Sequence, residues 1–310
     1  MRPGNAPDVA GEWALRWARP FPLDGRDVFP ELPTATTSAT VVGLAASVRS
    51  SRKIVLATHA ILRGLATHAG FRAASIEGTD ATGGALDRYV TEGAGQPEAL
   101  VGSSQGFLRT RETVELVRWL REFNVEHPDD PIRVVHGNGD SDKGRLDRLE
   151  QALAASVLRW HETTGARIVH LGGTAHTLVG DPRTVSPYDA NAHRNAGGYL
   201  RAGLGRRYQV LALTTGAGNA PFPVPAPPRH FTEAVFAGTT AGGLLLDLDI
   251  DHSPPPEVAR WLRAPMRTRC VGPAYDPAND AEHYVAAGPL RTAVDGLLHV
   301  ARTTPTTPLE

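Results

Sequence analysis

Three charged side chains stand where the sequence pattern places the ends of two strands. Arg49 and Arg52 follow the apolar run 39–44 across a turn of small residues, and Glu77 ends a second run, 73–77. Arginine stays protonated and cannot act as a base, but its planar fork suits a carboxylate or a phosphate. Glu77 could be a general base, yet a carboxylate beside arginines has a lowered pKa, which favours anchoring an arginine. The three residues predict a site for an anion or a developing enolate, with Arg49 and Glu77 as catalytic candidates and Arg52 as a binding residue.

Histidines at other strand ends supply candidates for proton transfer, because the imidazole titrates near neutral pH. His176 follows the fourth predicted strand and is the best candidate for an acid or base. His136 and Asp140 flank the end of the third strand and could form a second acid–base unit, although local turns also favour aspartate. His59 lies on the helix after the first turn and faces either the site or solvent. We therefore predict His176 as catalytic and His59, His136 and Asp140 as substrate-binding residues.

A strand–helix–strand unit must position the charged residues. The apolar residues of 52–68 recur at helical spacing, and Gly70 is placed to end that helix. Two strands joined by a helix pair in parallel, so their carboxyl ends meet at one edge, where α/β proteins bind ligands. This arrangement places the turn 45–51 and Glu77 at the same mouth.

The rest of the chain continues the alternation of strands and helices. Predicted helices cover residues 85–91, 110–124 with Thr110 as N-cap, 146–161 and 196–204. Further predicted strands cover residues 132–136, 167–171, 208–213, 243–248 and 296–301. Residues 180–195 show no period and predict a loop long enough to cover a site. The order predicts an α/β fold with one open, mostly parallel sheet and helices on both faces, formed by residues 39–310, with residues 1–38 wrapping its surface.

Composition excludes several classes of protein. The net charge of −1 over 310 residues favours neither nucleic acid nor an anionic membrane as a partner. The single cysteine, Cys270, rules out an internal disulfide, and no apolar run is long enough to span a bilayer. No signal peptide opens the chain, so we expect a cytoplasmic protein. No zinc cluster, serine-hydrolase elbow or phosphate loop is present, so we expect no metal or cofactor and a small molecule as substrate. Abundant arginine with two lysines is typical of a GC-rich bacterial genome such as that of an actinomycete.

The opening unit resembles that of the erythromycin esterase family. The family pattern VVGLGEATHGTREF aligns with VVGLAASVRSSRKI from residue 41, and GFRA and the glutamate of IEG follow in both. Similarity continues through TRETVELVRWLREFN, ALAASVLRWHETTGARIVHL, AGGYLRAGLGRRYQV and LLLDLD to the end of the chain. The resemblance implies the family's α/β fold and an ester-hydrolysing ancestry that uses a histidine near carboxylates and no obligatory metal.

This chain departs from the family at the reacting positions. Ala45–Ala46 stands for the family's Gly–Glu, Arg49 for its catalytic histidine and Lys53 for its second acid, whereas Glu77 is kept. The family's AHNxH strand end reads LGGTAH here, so a glycine replaces the first histidine, and His176 replaces the second with a one-residue shift. Only residues 142–148 stand where the family has a long helical segment, which predicts a reduced helical lid.

Three functions remain open on these residues. The first is an enzyme of secondary metabolism, such as antibiotic biosynthesis, that catalyses a cyclisation, an elimination (a lyase) or an isomerisation of a polyketide- or peptide-like substrate held by arginines. The second is an esterase with a relocated base, His176 with Glu77. The third is a protein that binds a small molecule without catalysis. We expect the first, because Ala46 and Arg49 cannot activate water as the family does.

Overall fold

The computed structural model describes residues 8–23, 31–79, 81–136, 146–249, 253–272 and 274–310. Its strands are β1 (Arg19–Pro20), β2 (Val41–Ala46), β3 (Phe71–Ile76), β4 (Arg133–Val134), β5 (Arg167–Gly173), β6 (Arg183–Ser186), β7 (Asp189–His193), β8 (Tyr208–Asn219), β9 (Pro223–Val224), β10 (Gly243–Asp247), β11 (Pro265–Arg269), β12 (Tyr284–Pro289) and β13 (Gly296–Thr303). Its α-helices are α1 (Val9–Trp17), α2 (Thr34–Ser38), α3 (Arg52–Ala69), α4 (Gly83–Glu92), α5 (Pro97–Gly102), α6 (Arg111–Glu126), α7 (Leu146–Thr164), α8 (Thr174–Thr177), α9 (Ala196–Leu204), α10 (Pro256–Arg263) and α11 (Leu290–Ala293).

The central sheet has the strand order β1-β10-β13-β8-β2-β5-β3-β4, with β9 paired to β8. The pairs from β13 through β8, β2, β5 and β3 to β4 are parallel, and those made by β1, β9 and β10 are antiparallel. The predicted mostly parallel sheet is therefore confirmed. Its carboxyl edge at β2, β5 and β3, called the mouth below, brings together the segments that follow these strands.

Two apolar cores lie on opposite faces of this sheet. Successive side chains of a strand point to opposite faces, and Val41 and Val42 of β2 accordingly belong to different cores. Helices α3, α4 and α6 pack on the face of Val42, and α1, α7, α9 and α10 on the face of Val41. Helices on both faces are as the sequence predicts.

Helix ends follow local signals in the sequence. The side chain of Ser51 caps α3 by accepting from the N–H of Ile54, and Thr110 caps α6 by accepting from the N–H of Thr113. Gly70 ends α3 with a φ of 69°, a left-handed conformation that glycine adopts without strain. These caps fix where α3 begins, and with it the turn that carries Arg49.

The prediction of a loop at residues 180–195 was wrong. Strands β6 and β7 form there and join β12 and β11 in a four-stranded antiparallel sheet. Arg183 of β6 is fully buried, although a charged residue in an aperiodic segment is usually a sign of surface. The segment thus forms part of a second, smaller sheet and is not a loop that covers the site.

Residues at both ends of the chain pack against the sheet. Trp13 of α1 is buried, and β1 extends the sheet beside β10. The division of the chain at residue 39 stays a prediction. The predicted short helical insert falls mostly on residues 137–145, which lie outside the described residues.

Candidate functional site

An ion pair between Arg49 and Glu77 occupies the mouth. Arg49 lies in the turn after β2, and Glu77 directly follows β3, so the pair bridges two strands that β5 separates. Nη1 of Arg49 donates to Oε1 of Glu77, and the guanidinium lies 3.7 Å from the ring centre of Phe107. Of the two arginines that the sequence offered as partners of Glu77, the structure pairs Arg49 with it. Among the described residues, Glu77 is the one hydrogen-bond partner of the Arg49 side chain, which leaves donors of the fork for a ligand.

Glu77 is held as a carboxylate. The backbone N–H of Gly173 donates to its Oε2 at 2.7 Å, and Nε2 of His176 lies 3.8 Å from its Oε1. Burial acts to raise the pKa of Glu77, but the charges of His176 and Arg49, with the hydrogen bonds from Gly173 and Arg49, outweigh it and lower this pKa to about 2. Glu77 is therefore a weak base and a strong anchor for a cation.

Two glycines at the end of β5 make room for this pair. A Cβ at Gly173 would lie 3.5 Å from Cζ of Arg49, so the guanidinium fills the space in front of this residue. A Cβ at Gly172 would lie 2.4 Å from Oγ1 of Thr177 and 3.0 Å from Oε2 of Glu77. The loss of a side chain at β5 and the gain of Arg49 are therefore complementary changes.

His176 lies on α8, the single helical turn after β5, between two carboxylates. Its Nδ1 is 2.9 Å from Oε1 of Glu150, a residue of α7, while its Nε2 faces Glu77. Glu150 is fully buried and also accepts from Nη2 of Arg183 at 2.5 Å and from the N–H of Ala196 at 2.8 Å. Each oxygen of this buried carboxylate therefore has a donor, as a buried charge requires.

The two carboxylates determine the charge of His176. Burial acts to lower its pKa, but Glu77 and the hydrogen-bonded Glu150 outweigh burial and raise it above the ordinary histidine value. Burial likewise acts to raise the pKa of Glu150, and the contacts with His176 and Arg183 lower it on balance. The cluster thus favours the protonated form of His176, and each of its two carboxylates also contacts one arginine.

A small cavity lies behind the Arg49–Glu77 pair, between the sheet and helices α3 and α6. It measures about 70 Å³, and its walls are mostly apolar. The apolar side chains in these walls include Leu44, Ile54, Ile76, Phe107, Leu116 and Leu171. His59 of α3 also lines the cavity and is 6% exposed. Burial, helped by the charge of Arg63, lowers the pKa of His59 to about 3, so this imidazole is neutral.

Two of the other predicted residues lie in separate clusters. Nε of Arg52 donates to Glu112 at 3.0 Å, and Glu112 also accepts from the N–H of Thr307 in the C-terminal segment. His136 lies 3.6 Å from Asp87 and packs edge-on against a tryptophan of α7. Asp140 lies outside the described residues. The structure thus brings Arg49, Glu77 and His176 together and places His59 behind them, and their roles stay predictions.

Sequence reasoning missed the charged residues behind His176. Glu150 and Arg183 lie on an ordinary amphipathic helix and in an aperiodic segment, where a charge predicts solvent exposure. His170 of β5 was missed as well, and its Nδ1 is 3.0 Å from Oγ of Ser75 while its Nε2 is buried without a partner among the described residues. Burial lowers the pKa of His170 to about 4. A histidine in an apolar strand was the one local signal available.

Over the described residues, no three side chains of His, Cys, Asp or Glu gather where they could hold a metal ion. No helix there is long and apolar enough to cross a bilayer.

The sequence matches the erythromycin esterase family over residues 66–139 and 132–303. This covers most of the chain, and the chain belongs to this family. No curated protein sequence matches it at a significant level.

Solved structures share the fold. A protein from Bacillus cereus is 14% identical with a TM-score of 0.78, and the match covers 96% of this chain and 98% of that one. A succinoglycan biosynthesis protein is 15% identical with a TM-score of 0.76 over 97% and 98% of the two chains. A variant of the erythromycin esterase EreC in its open conformation is 12% identical with a TM-score of 0.63 over 89% and 94%. At these identities the likeness extends to the fold alone.

Proposed function

We propose that the protein is a tailoring enzyme for a small molecule and that it uses His176 as a general acid in a cyclisation, an elimination or an isomerisation. The observation that carries this proposal is the position of the His176 imidazole between Glu77 and Glu150. Two carboxylates stabilise the charged imidazolium, so the ring enters the reaction with a proton to give. A ring whose protonated form is favoured is better suited to giving a proton than to activating water.

The proton of Nε2 is available to a substrate. The 3.8 Å between Nε2 and Oε1 of Glu77 is too long for a hydrogen bond, whereas Nδ1 is engaged by Glu150. In a cyclisation, Nε2 gives its proton to a carbonyl oxygen as the substrate's own hydroxyl or amine attacks the carbonyl carbon. The nucleophile then returns its proton to the ring, so the enzyme regains its initial state. Arg49 stabilises the oxygen as negative charge develops on it.

The departures from the family pattern support this direction. Ala46 stands in the position of the family's glutamate and Arg49 in that of its catalytic histidine. A guanidinium cannot accept a proton at any physiological pH. Hydrolysis by the family route therefore has no base at its usual position.

Comparison of the metabolites of the host with and without the gene tests the proposal. A cyclisation or an isomerisation leaves a precursor of the same mass as the product, and an elimination leaves one heavier by the eliminated group. A hydrolase that opens a lactone instead leaves a precursor lighter than the product by one water, and one that cleaves an open-chain ester leaves a precursor that yields an acid and an alcohol. The purified protein should also open macrolide lactones no faster than buffer does. Lactone opening that disappears in Glu77→Gln or His176→Gln would contradict the proposal.

An esterase with a relocated base is the second candidate. The hydrogen bond between His176 and the buried Glu150 favours it, because a carboxylate that orients a histidine is a recurrent acid–base device. This candidate requires a neutral His176 and an ester hydrolysis rate that rises with pH as His176 loses its proton. If the host's metabolites do not change and the purified protein still binds a small molecule, the third function, binding without catalysis, takes their place.

A further inference from the structure

The cavity behind the Arg49–Glu77 pair opens to the surface and is lined mainly by apolar side chains of the core on the Val42 face of the sheet. Residues of β2, β3 and β5 form its floor, and α3, α6 and the segment with Phe107 and Leu108 form its walls. Arg49 and Glu77 line one part of it, so a group bound at the ion pair can extend inward. The cavity is therefore continuous with the site of the proposed reaction.

Among the uncharged polar side chains that line this cavity, His59 is the one without a hydrogen-bond partner. Oγ1 of Thr58 donates to the carbonyl of Ile54 at 2.9 Å, and Oγ1 of Thr113 is 2.9 Å from Oγ1 of Thr110. None of the described residues forms a hydrogen bond with the imidazole of His59, although the residue is only 6% exposed. The ring nitrogens of His59 are not fully enclosed by the protein, so a ligand that enters the cavity can supply a hydrogen bond in place of water. His59 is neutral, so its ring offers both a donor and an acceptor.

The size of the cavity limits what can enter. An apolar cavity of about 150 Å³ is enough to hold benzene. The cavity here, at about 70 Å³, is roughly half of that. It suits a compact group of about three or four carbon atoms and is too small for a sugar or a second ring.

We infer that this cavity is a subsite for a short branched hydrocarbon group of the substrate that bears one hydroxyl or carbonyl oxygen, which His59 binds, while Arg49 binds the acidic or enolic end. The substrate class is thus a short branched hydroxy or oxo acid, or a larger molecule that ends in such a unit. This inference deepens the proposed function and rests on it for the site, but it concerns binding alone. Binding and proton transfer by His176 can therefore fail independently.

Equilibrium binding of simple carboxylates tests the subsite on the whole protein. Calorimetry with acetate, isovalerate, 3-hydroxyisovalerate and octanoate should show isovalerate binding on the order of tenfold more tightly than acetate, because its branched chain is removed from water. 3-Hydroxyisovalerate should bind at least as tightly as isovalerate, and octanoate no more tightly. Affinities that are independent of chain size, or that keep rising to octanoate, would overturn the inference.

Matched variants locate the binding. Leu108 lines the cavity, whereas Leu100 is half-buried elsewhere in the same core. Leu108→Phe should abolish the advantage of isovalerate over acetate, and Leu100→Phe should keep it. If Leu108→Phe does not fold, Leu108→Ala should move the best ligand towards longer chains. Unchanged ligand preferences in a folded Leu108 variant would overturn the subsite.

The role of His59 has its own readout. His59→Leu should remove the preference for 3-hydroxyisovalerate over isovalerate and leave isovalerate bound. Equal weakening of both ligands would overturn the hydrogen bond to His59. In the same samples, NMR of His176 reports the charge on which the proposed reaction depends. A retained imidazolium signal with no size-dependent binding would reject the subsite alone.

Discussion

Arg49 reaches Glu77 across the end of β5, the strand that lies between the strands from which the two residues come. The guanidinium packs over Gly173 at that end, where a Cβ would lie in van der Waals contact with it, 3.5 Å from the guanidinium carbon. The same glycine donates its backbone N–H to Glu77. The ion pair thus links the ends of β2 and β3 across β5, and its contribution to the free energy of unfolding can be measured.

Acid should destabilise the wild type more than Glu77→Gln. The pKa of Glu77 is lowered to about 2 by its environment against an ordinary 4.5, so its contribution to stability is complete above pH 4.5 and is lost as the pH falls towards 2. That contribution is on the order of 3 kcal/mol. Urea unfolding at pH 7, 5 and 3 should show the wild type losing more free energy of unfolding than the variant. Glu98→Gln, which alters an exposed ion pair with Arg118, is the control and should keep the acid sensitivity of the wild type.

His176 should titrate above the ordinary histidine value, and Glu150→Gln should lower its pKa. The shift depends on two carboxylates that oppose burial, so removing one charge leaves burial less opposed. NMR of the labelled imidazole measures both values. Glu115→Gln, on the exposed face of α6, should leave the titration unmoved. A wild-type His176 that is neutral at pH 7 would exclude the role of general acid.

Arg49→Ala should lower the free energy of unfolding by about 1.5–3 kcal/mol, the range for a hydrogen bond to a charged group. The variant leaves Glu77 with the Gly173 N–H and His176 as its remaining contacts. Arg49→Lys should recover only part, because an ammonium has no planar fork and stacks less well on Phe107. Phe107→Leu measures the stacking alone. A stability of Arg49→Ala equal to that of the wild type would reduce the pair to a surface contact.

Gly172→Ala should destabilise the protein by about 1–3 kcal/mol, as overpacking does in a filled core. Its Cβ would lie 2.4 Å from Oγ1 of Thr177 and 3.2 Å from Nε2 of His170. The double variant with Thr177→Ala should regain part of the loss. Gly84→Ala is the control, because a Cβ there meets nothing within 4 Å and alanine favours the helix. Thermal unfolding of the four proteins checks both expectations.

Local signals in the sequence predict most helices and strands of the fold and, within the site, the positions of Arg49 and Glu77. Ser51 and Thr110 cap their helices with their side chains, and Gly70 ends α3 through its left-handed backbone, so signals close in sequence set the ends of α3 and α6. The turn that carries Arg49 was predicted to share one mouth with Glu77, because both follow strands of one parallel unit. The strands β6 and β7 are short, and their pairing depends on β12, which lies far along the chain. No local pattern could therefore predict them.

The buried charges behind His176 could not be predicted for the same reason, because their partners lie far along the chain. Glu150 and Arg183 are 33 residues apart and are both buried, and their ion pair is one of the contacts that make this burial acceptable. A charged residue considered without its tertiary contacts predicts a solvent-exposed position. The charge of His176 therefore follows from tertiary contacts that come from α7 and β6.

The position of Arg183 in the small antiparallel sheet offers a route for engineering. Because β6 is bonded to β12 and β7 rather than to the strands of the mouth, its sequence can be varied without replacing a residue that meets the substrate. A library at positions flanking Arg183 would alter how firmly Glu150 is held and, through it, the acidity of His176. The small sheet would then set the pKa of His176 from outside the mouth, and NMR of the imidazole across the library would measure how far.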